Sequence, residues 1–400
     1  MDFETIAAII FLVLLTLFVY LKRKSLDTKH LIPHVLYFSM YRTKIGLKLM
    51  NSVAKKFRKL VQYMGYFGIL IGFLGMVFIC FFLIKDLIPI VTEPEAAQGV
   101  GLVLPIKAKG VFFVPFFYWI ISIFVIAVVH EFSHGLVARA HNMKVKSSGF
   151  AFLALIVPII PAAFVEPDEK QLRKRPQKEQ LSVFAAGPLA NIITALLCLG
   201  ILSLVMVPIV NAAIEPNGVK FAEYYRNGKI YPAENAGIEV GEIIQGIDNN
   251  PTPYVANMTE ILGSKKPGET IKIKTDKSTY QIELDKNPEN ESAAFIGISR
   301  IEQSTEIKEN VRAKYGKFLP DAMMWIAGLF VFLYILNLGI GLFNLVPIGP
   351  LDGGRMLQLP LHRYFGQEKG NRVLAYVSLV FFVIILVNVF AGFGLFGLFN

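Results

Sequence analysis

Apolar residues gather into six runs along this chain, at 6–21, 65–84, 114–137, 181–213, 323–346 and 374–398. Nearly all reach the roughly 20 residues that a helix needs to cross a ~30 Å hydrocarbon core, so the pattern predicts six transmembrane helices. A further apolar run, 149–165, is interrupted by Pro158 and Pro161 and is too short and broken for a comfortable crossing. It reads as a re-entrant or interfacial segment. Irregular backbone is tolerated at that depth only where protein or water satisfies its polar groups, so this segment is expected to wall a wet cavity. The polar connection 212–318 has different patterning: 270–275 and 279–284 alternate like a hairpin, 254–263 has helical character, and Gly241, Gly246, Pro251 and Pro253 mark turns. The predicted fold class is a multi-pass α-helical membrane protein with about six spans and a re-entrant segment, plus a small α/β domain. Its parts are 1–113, N-terminal spans with a basic loop; 114–211, the first part of the membrane core; 212–318, the inserted domain; and 319–400, the second part of the core with the last span.

Composition agrees, since 54% hydrophobic and 18% charged residues are too apolar for an ordinary soluble enzyme of 400 residues. The net charge of +10 raises nucleic acid as a partner, but its location argues against that. Eleven Lys/Arg against Asp27 alone lie within 22–62, directly after the first run. This is a positive-inside signal that places the loop in the cytoplasm. Basic and apolar residues mixed at near-helical spacing over 35–60 suit either a helix lying on the inner leaflet, in contact with anionic lipid, or a plain solvated basic face; the lipid bilayer is a partner in any case through the spans. Alternation then puts both termini and the inserted domain outside. The loop 85–113, with three basic and three acidic residues, agrees with an outer position, and 353–373, with four basic residues against Glu368, with an inner one. Trp119 and Trp325 then fall near outer span ends, where an aromatic belt sits. The first run begins with Asp2 and Glu4 and ends in Lys22, Arg23 and Lys24, the pattern of a retained helix rather than a cleaved leader. Cys80 and Cys198 both fall inside spans and offer no disulfide framework.

The chemistry concentrates at His130-Glu131-Phe132-Ser133-His134 on the inner half of the third span. Residues i and i+4 share a helix face, so two imidazoles can grip one metal ion with Glu131 beside them as a base. An ionised side chain at mid-membrane costs about 2.5–3.5 kcal/mol and is seldom kept without a partner or a function. The competing reading makes the two histidines neutral polar glue between helices. His30 and His34 are also four apart, but they lack the glutamate and flank Pro33 in a basic stretch, so they read as surface residues.

A catalytic zinc site commonly has three protein ligands plus a water. Asp352 is the best third candidate, with Glu166 and Asp168 ranked below it. A continuous helix from Trp325 would carry Asp352 about 40 Å inward, past the core, whereas His130 lies only about 17 Å below Trp119. Pro347, Gly349 and Pro350 can break the helix and return the chain to metal depth. In the plainer alternative Asp352 only caps the following helix. In the fourth span, Ala186-Gly187-Pro188-Leu189-Ala190-Asn191 offers small residues for close helix approach and one uncommon amide. Asn191, like Asn344, is a candidate to bind substrate backbone or an oxyanion. A zinc transporter and a catalytically silent scaffold are the rival functional classes; a single concentrated cluster beside a general base favours hydrolysis.

Taken together, HEFSHG at 130–135, GPLAN at 187–191 and NLVPIGPLDGG at 344–354 resemble the site-2 protease family of intramembrane zinc metalloproteases, in the family's order and over roughly 114–360. The segments at 232–253 and 295–299 resemble a PDZ domain, although 245–250 runs Gln-Gly-Ile-Asp-Asn-Asn where that pattern more often has an Asn-Gly or Asp-Gly turn. The resemblance implies Zn2+ bound by His130, His134 and Asp352, with Glu131 activating water. It also implies a single-span transmembrane protein as substrate, often trimmed first by another protease, whose new C-terminus is a possible ligand of the PDZ-like domain.

Overall fold

The computed structural model describes residues 3–32, 36–92, 101–155 and 157–393. It divides into two compact units, one comprising Met1–Leu202 and Gly328–Asn400, the other Ser203–Ala327. Among the described residues six helical stretches are long and apolar enough to cross a membrane: Phe3–Ser25, Arg58–Ile90, Phe116–Ala140, Gln177–Ala213, Phe318–Phe343 and Asp352–Gly392. These are the first to sixth spans below, and they match the six apolar runs. They are helical because each backbone N–H and C=O must find a partner within its own segment where water is absent. Many apolar side chains on them stay outward, as Leu14, Val77 and Phe81 do, in keeping with a lipid-facing surface. The sixth stretch bends at Gly366, whose φ of 76° lies outside the helical range.

Inside the larger unit, Gly65, Gly68, Gly72 and Gly75 form a buried stripe along the second span. A Cβ at Gly72 would stand 2.6 Å from Met356, and one at Gly75 2.5 Å from Leu345. Three- and four-residue spacing puts these glycines on one face, and their lack of side chains lets the second span close on its neighbours. Met76, Ala185, Leu345 and Met356 form one of the buried clusters that result. Trp119 differs from the sequence expectation. It is buried, and its indole N–H donates to the Val103 carbonyl rather than facing a headgroup layer.

Four antiparallel strands complete this unit: β1 (Leu26–Ile32), β2 (Leu36–Thr43), β3 (Val145–Leu155) and β4 (Val157–Pro167), in that spatial order. Two expectations change here. The proline-broken run forms an antiparallel strand pair, with Gly149 opposite Phe164 and Phe152 opposite Pro161, whose register shifts between Leu153 and Ala154. Its prolines are accommodated because β4 is an edge strand, where a missing N–H need not interrupt a ladder. Helical spacing over 35–60 likewise gives way to β2, and helix begins only at Leu47, with Leu47–Lys56. Pairing of β2 with β3 along its whole length, Leu36 opposite Leu155 to Thr43 opposite Ser148, overrides the local pattern. Gly149 is required at this ladder, since a Cβ there would collide with the Tyr41 carbonyl oxygen.

The smaller unit contains a five-strand path in the order β8-β7-β6-β5-β9, where β5 is Ile214–Tyr224, β6 Ile243–Ile247, β7 Thr270–Thr275, β8 Thr279–Glu283 and β9 Ile298–Ile307. The alternating hairpin forms as expected, with Ile271 opposite Ile282, and helix Val255–Gly263 adds Met258 to a core of Phe221, Ile244, Ile247, Ile273 and Ile296.

Candidate metal centre

His130 and His134 lie one turn apart on the third span, and Asp352 opens the helix that follows the break after Phe343. The break is built by close backbone packing. Gly353 N–H donates to the Asn344 carbonyl at 2.8 Å, and a Cβ at Gly353 would collide with the Leu345 carbonyl. Gly349 N–H donates to Ser378 Oγ, whose hydroxyl reaches the Pro347 carbonyl. Asp352 is thereby returned to the histidines. Its Oδ2 lies 3.0 Å from His130 Nε2 and 3.3 Å from His134 Nε2, and the two Nε2 atoms are 3.1 Å apart. These three form the one cluster among the described residues that could hold a metal ion.

The donor set suits zinc. Ligand atoms about 2.0–2.1 Å from a tetrahedral ion stand roughly 3.3–3.4 Å from one another, near the spacings here. His134 Nδ1 is 2.7 Å from the Val183 carbonyl, which can only accept, so in the neutral ring that nitrogen carries the proton and Nε2 presents a lone pair. The Asn191 carboxamide lies 3.1 Å from His130 Nδ1 and is fully buried, with Oδ1 lacking a partner. A half turn of the amide brings Oδ1 to that nitrogen as acceptor and leaves His130 Nε2 with a lone pair too. Two imidazole lone pairs and a carboxylate then converge on one point, an arrangement that a cation relieves. Gly187 completes the cradle, for a Cβ there would lie 2.6 Å from His130 Nε2 and overlap His134 Nε2.

Glu131 projects beside the cluster, and its Oε2 accepts the Val165 N–H at 2.9 Å. A cavity of about 120 Å³ adjoins it, lined by Ser148, Gly149, Phe150 and residues 163–165 of the hairpin. The proline-broken segment therefore borders the site. The rival carboxylates are otherwise engaged. Glu166 accepts from Ser147 Oγ and Arg42, which hold its carboxyl below the usual range against the opposing effect of burial. Asp168 caps helix Glu169–Arg173 through the backbone N–H groups of Gln171 and Lys170, which lower its pKa. His141 meets Ser182 Oγ at 3.1 Å, and burial lowers its pKa; His362 bonds Asn371. Of the surface pair, His30 belongs to β1, and His34 lies outside the described residues.

Asn191 thus faces His130, one of the candidate ligands, while Asn344 donates from Nδ2 to the Ile340 carbonyl. Val183 also meets His134, and Gly187 serves both histidines as well as the close helix approach that its size suggests. Val183, Gly187 and Asn191 recur every four residues, so one helix face carries all three contacts to the histidines, and that spacing was visible in the chain.

The model of peptidase family M50 matches residues 118–388, more than half of the chain. An uncharacterized protein of Methanocaldococcus jannaschii is 26% identical over 321 residues, 79% of this chain and 75% of its own length. The regulator of sigma-W protease RasP of Bacillus subtilis is 23% identical over 54% of this chain and 58% of that protein. The zinc metalloprotease RasP of Shouchella clausii is 25% identical over 52% of this chain and 56% of that protein. The chain spans just over half the length of these two proteases. A solved PDZ domain, from the SdrC-like protein of Listeria monocytogenes, is similar at 24% identity over 21% of this chain and 86% of that structure, with a TM-score of 0.18. The chain belongs to peptidase family M50, the site-2 protease family of intramembrane metalloproteases.

Proposed function

We propose that this protein is a zinc-dependent endopeptidase that cleaves single-span membrane proteins within the bilayer, with His130, His134 and Asp352 as metal ligands and Glu131 as the base. The observation that carries this reading is the convergence of His130 Nε2, His134 Nε2 and Asp352 Oδ2 within 4.8 Å, beside a glutamate that lines a cavity and accepts the Val165 N–H. Zinc in this cradle supplies Lewis acidity, polarising a peptide carbonyl and acidifying a water. Glu131 takes a proton from the attacking water and returns it to the leaving amine nitrogen. Val183 and Asn191 hold the imidazoles in the required tautomer, and the buried surroundings keep bulk water away. Asn344 Oδ1 is an acceptor for a substrate backbone N–H.

Because a helical substrate hides each carbonyl in its own hydrogen bonds, the scissile region must unwind, and helix-breaking residues there should favour cleavage. By the distribution of basic loops, the termini and the smaller unit face outside and the metal site lies toward the cytoplasm. Residues 212–318 act as a PDZ-like domain that receives a trimmed substrate C-terminus.

The deciding experiment is cleavage of a model single-span substrate by the purified full chain, comparing wild type, Glu131→Gln and Asp352→Ala together with zinc content. Loss of cleavage by about 10²–10⁴-fold in Glu131→Gln with zinc retained, and loss of both in Asp352→Ala, is expected. Continued cleavage by Glu131→Gln would overturn the mechanism and favour another role for the cluster.

A further inference from the structure

Away from the metal centre, a cavity of about 450 Å³ opens where the third span ends and the second begins. Four cations line it: Lys55, Arg58, Arg139 and Lys144, joined by Asn51, Asn142 and Gln171. No acidic residue lines the cavity, and none of the four cations makes an ion pair among the described residues. The nearby carboxylates are committed elsewhere, Asp168 to Lys146 and Glu179 to Arg175 and His141.

One explanation for the charges is the carbonyl end of the third span. Arg58 Nε and Gln62 Nε2 do donate to the Ala140 carbonyl, at 3.0 and 2.9 Å, and Arg139 donates to the Val145 carbonyl. A helix C-terminus presents only about half a negative charge, however, too little to balance four cations. Arg139 Nε is also buried with no hydrogen-bond partner, an unmet donor within the same wall. A bound anion would relieve both the mutual repulsion and the unmet donor.

We propose that this cavity binds the phosphate of an anionic lipid headgroup. The ligand chemistry is a phosphate ester, and the lipid is the favoured source because of depth. Arg139 and Lys144 lie on either side of Ala140, the last residue of the third span, and Arg58 is the first residue of the second with Lys55 just before it, so the cations gather at the adjoining ends of two apolar spans. Basic pockets between helices at that level suit lipid phosphates. The cavity volume falls within the usual range for small-molecule sites. Arg139 lies on the helix that carries His130 and His134, so an occupant would brace the end of the metal-bearing span.

The test is native mass spectrometry of the full chain in neutral detergent with dioleoyl phosphatidylglycerol, dioleoyl phosphatidylcholine or inorganic phosphate. Lys55 and Lys144 are exposed, so Lys55→Gln/Lys144→Gln should leave the fold intact, and Lys48→Gln/Lys59→Gln matches the charge change outside the cavity. The expected result is phosphatidylglycerol binding that weakens about 30-fold in the cavity variant and persists in the control variant. Equal weakening in both variants would assign the effect to general surface charge. Stronger binding of inorganic phosphate would assign the cavity to a soluble anion, and no preference over phosphatidylcholine would remove the site; each of these three results overturns the proposal.

Discussion

Gly187 of the fourth span abuts the imidazole of His130, so closely that a Cβ there would lie 2.6 Å from Nε2. In the proposed metal centre this glycine serves the ligand set as well as helix packing. Gly187→Ala should push both rings away from Asp352, with loss of cleavage on the order of 10²-fold or more, as small misplacements at a catalytic centre produce. Zinc content should fall in parallel while helical circular dichroism stays unchanged. Gly200, in the same helix with nothing within 4 Å of its would-be Cβ, is the control: Gly200→Ala should retain zinc and activity.

In the proposed centre Asn191 acts through His130, whose Nδ1 its amide meets. Asn191→Leu should lower zinc affinity about 10–100-fold, the usual effect of losing a group that orients a metal-bound histidine. Asn191→Asp, which still offers an acceptor to Nδ1–H, should recover much of that affinity. Equal zinc affinity in Asn191→Leu and wild type, measured by competition with a chelator, would show that the amide does not orient the ring.

The hairpin beside Glu131 depends on Gly149. Gly149→Val would drive a side chain into the Tyr41 carbonyl and break the pairing of β2 with β3. The expected cost is about 1–3 kcal/mol or more, as overpacking typically brings. Faster hydrogen exchange at residues 39–43 and 148–152 would report it, and unchanged protection there would refute it.

In the smaller unit, Glu242 is 2% exposed and accepts from Thr275 Oγ1 at 2.7 Å, Tyr280 Oη at 3.0 Å and the Glu239 N–H. Burial by itself would raise its pKa, but these hydrogen bonds outweigh burial and hold the carboxyl below its ordinary 4.5. The unfolded chain therefore takes up this proton more readily than the folded one. The stabilisation is present in full above about pH 4.5 and is lost as pH falls through the lower folded value. Hydrogen-exchange protection of β6 and β7, corrected for intrinsic rates, should decline on acidification in wild type and respond less in Glu242→Gln.

Zinc removal offers a further check. Chelation should abolish cleavage, and restored zinc should return it, while the spans remain helical, because their backbone bonds are internal to each segment and independent of the ion. Cleavage that survives complete chelation would exclude the proposed metal role.

The chain by itself determined whatever depends on local periodicity. Six apolar runs specified six helices, four-residue spacing set His130 and His134 on one face, and Pro347, Gly349 and Pro350 marked where the fifth span must stop. These follow from backbone satisfaction and helix geometry within a single segment. Tertiary structure decided what depends on partners distant in sequence. Residues 149–155 and 157–165 became strands because β2 supplied a ladder on one side of the pair and its prolines fell on the open edge; Trp119 turned inward because Val103 offered a carbonyl. Asp352 became more than a helix-opening acid only once the backbone packing of 344–354 brought Oδ2 within 3.3 Å of both histidines. Periodicity records which face a residue occupies, but the group that meets that face is set by chain segments brought together only on folding.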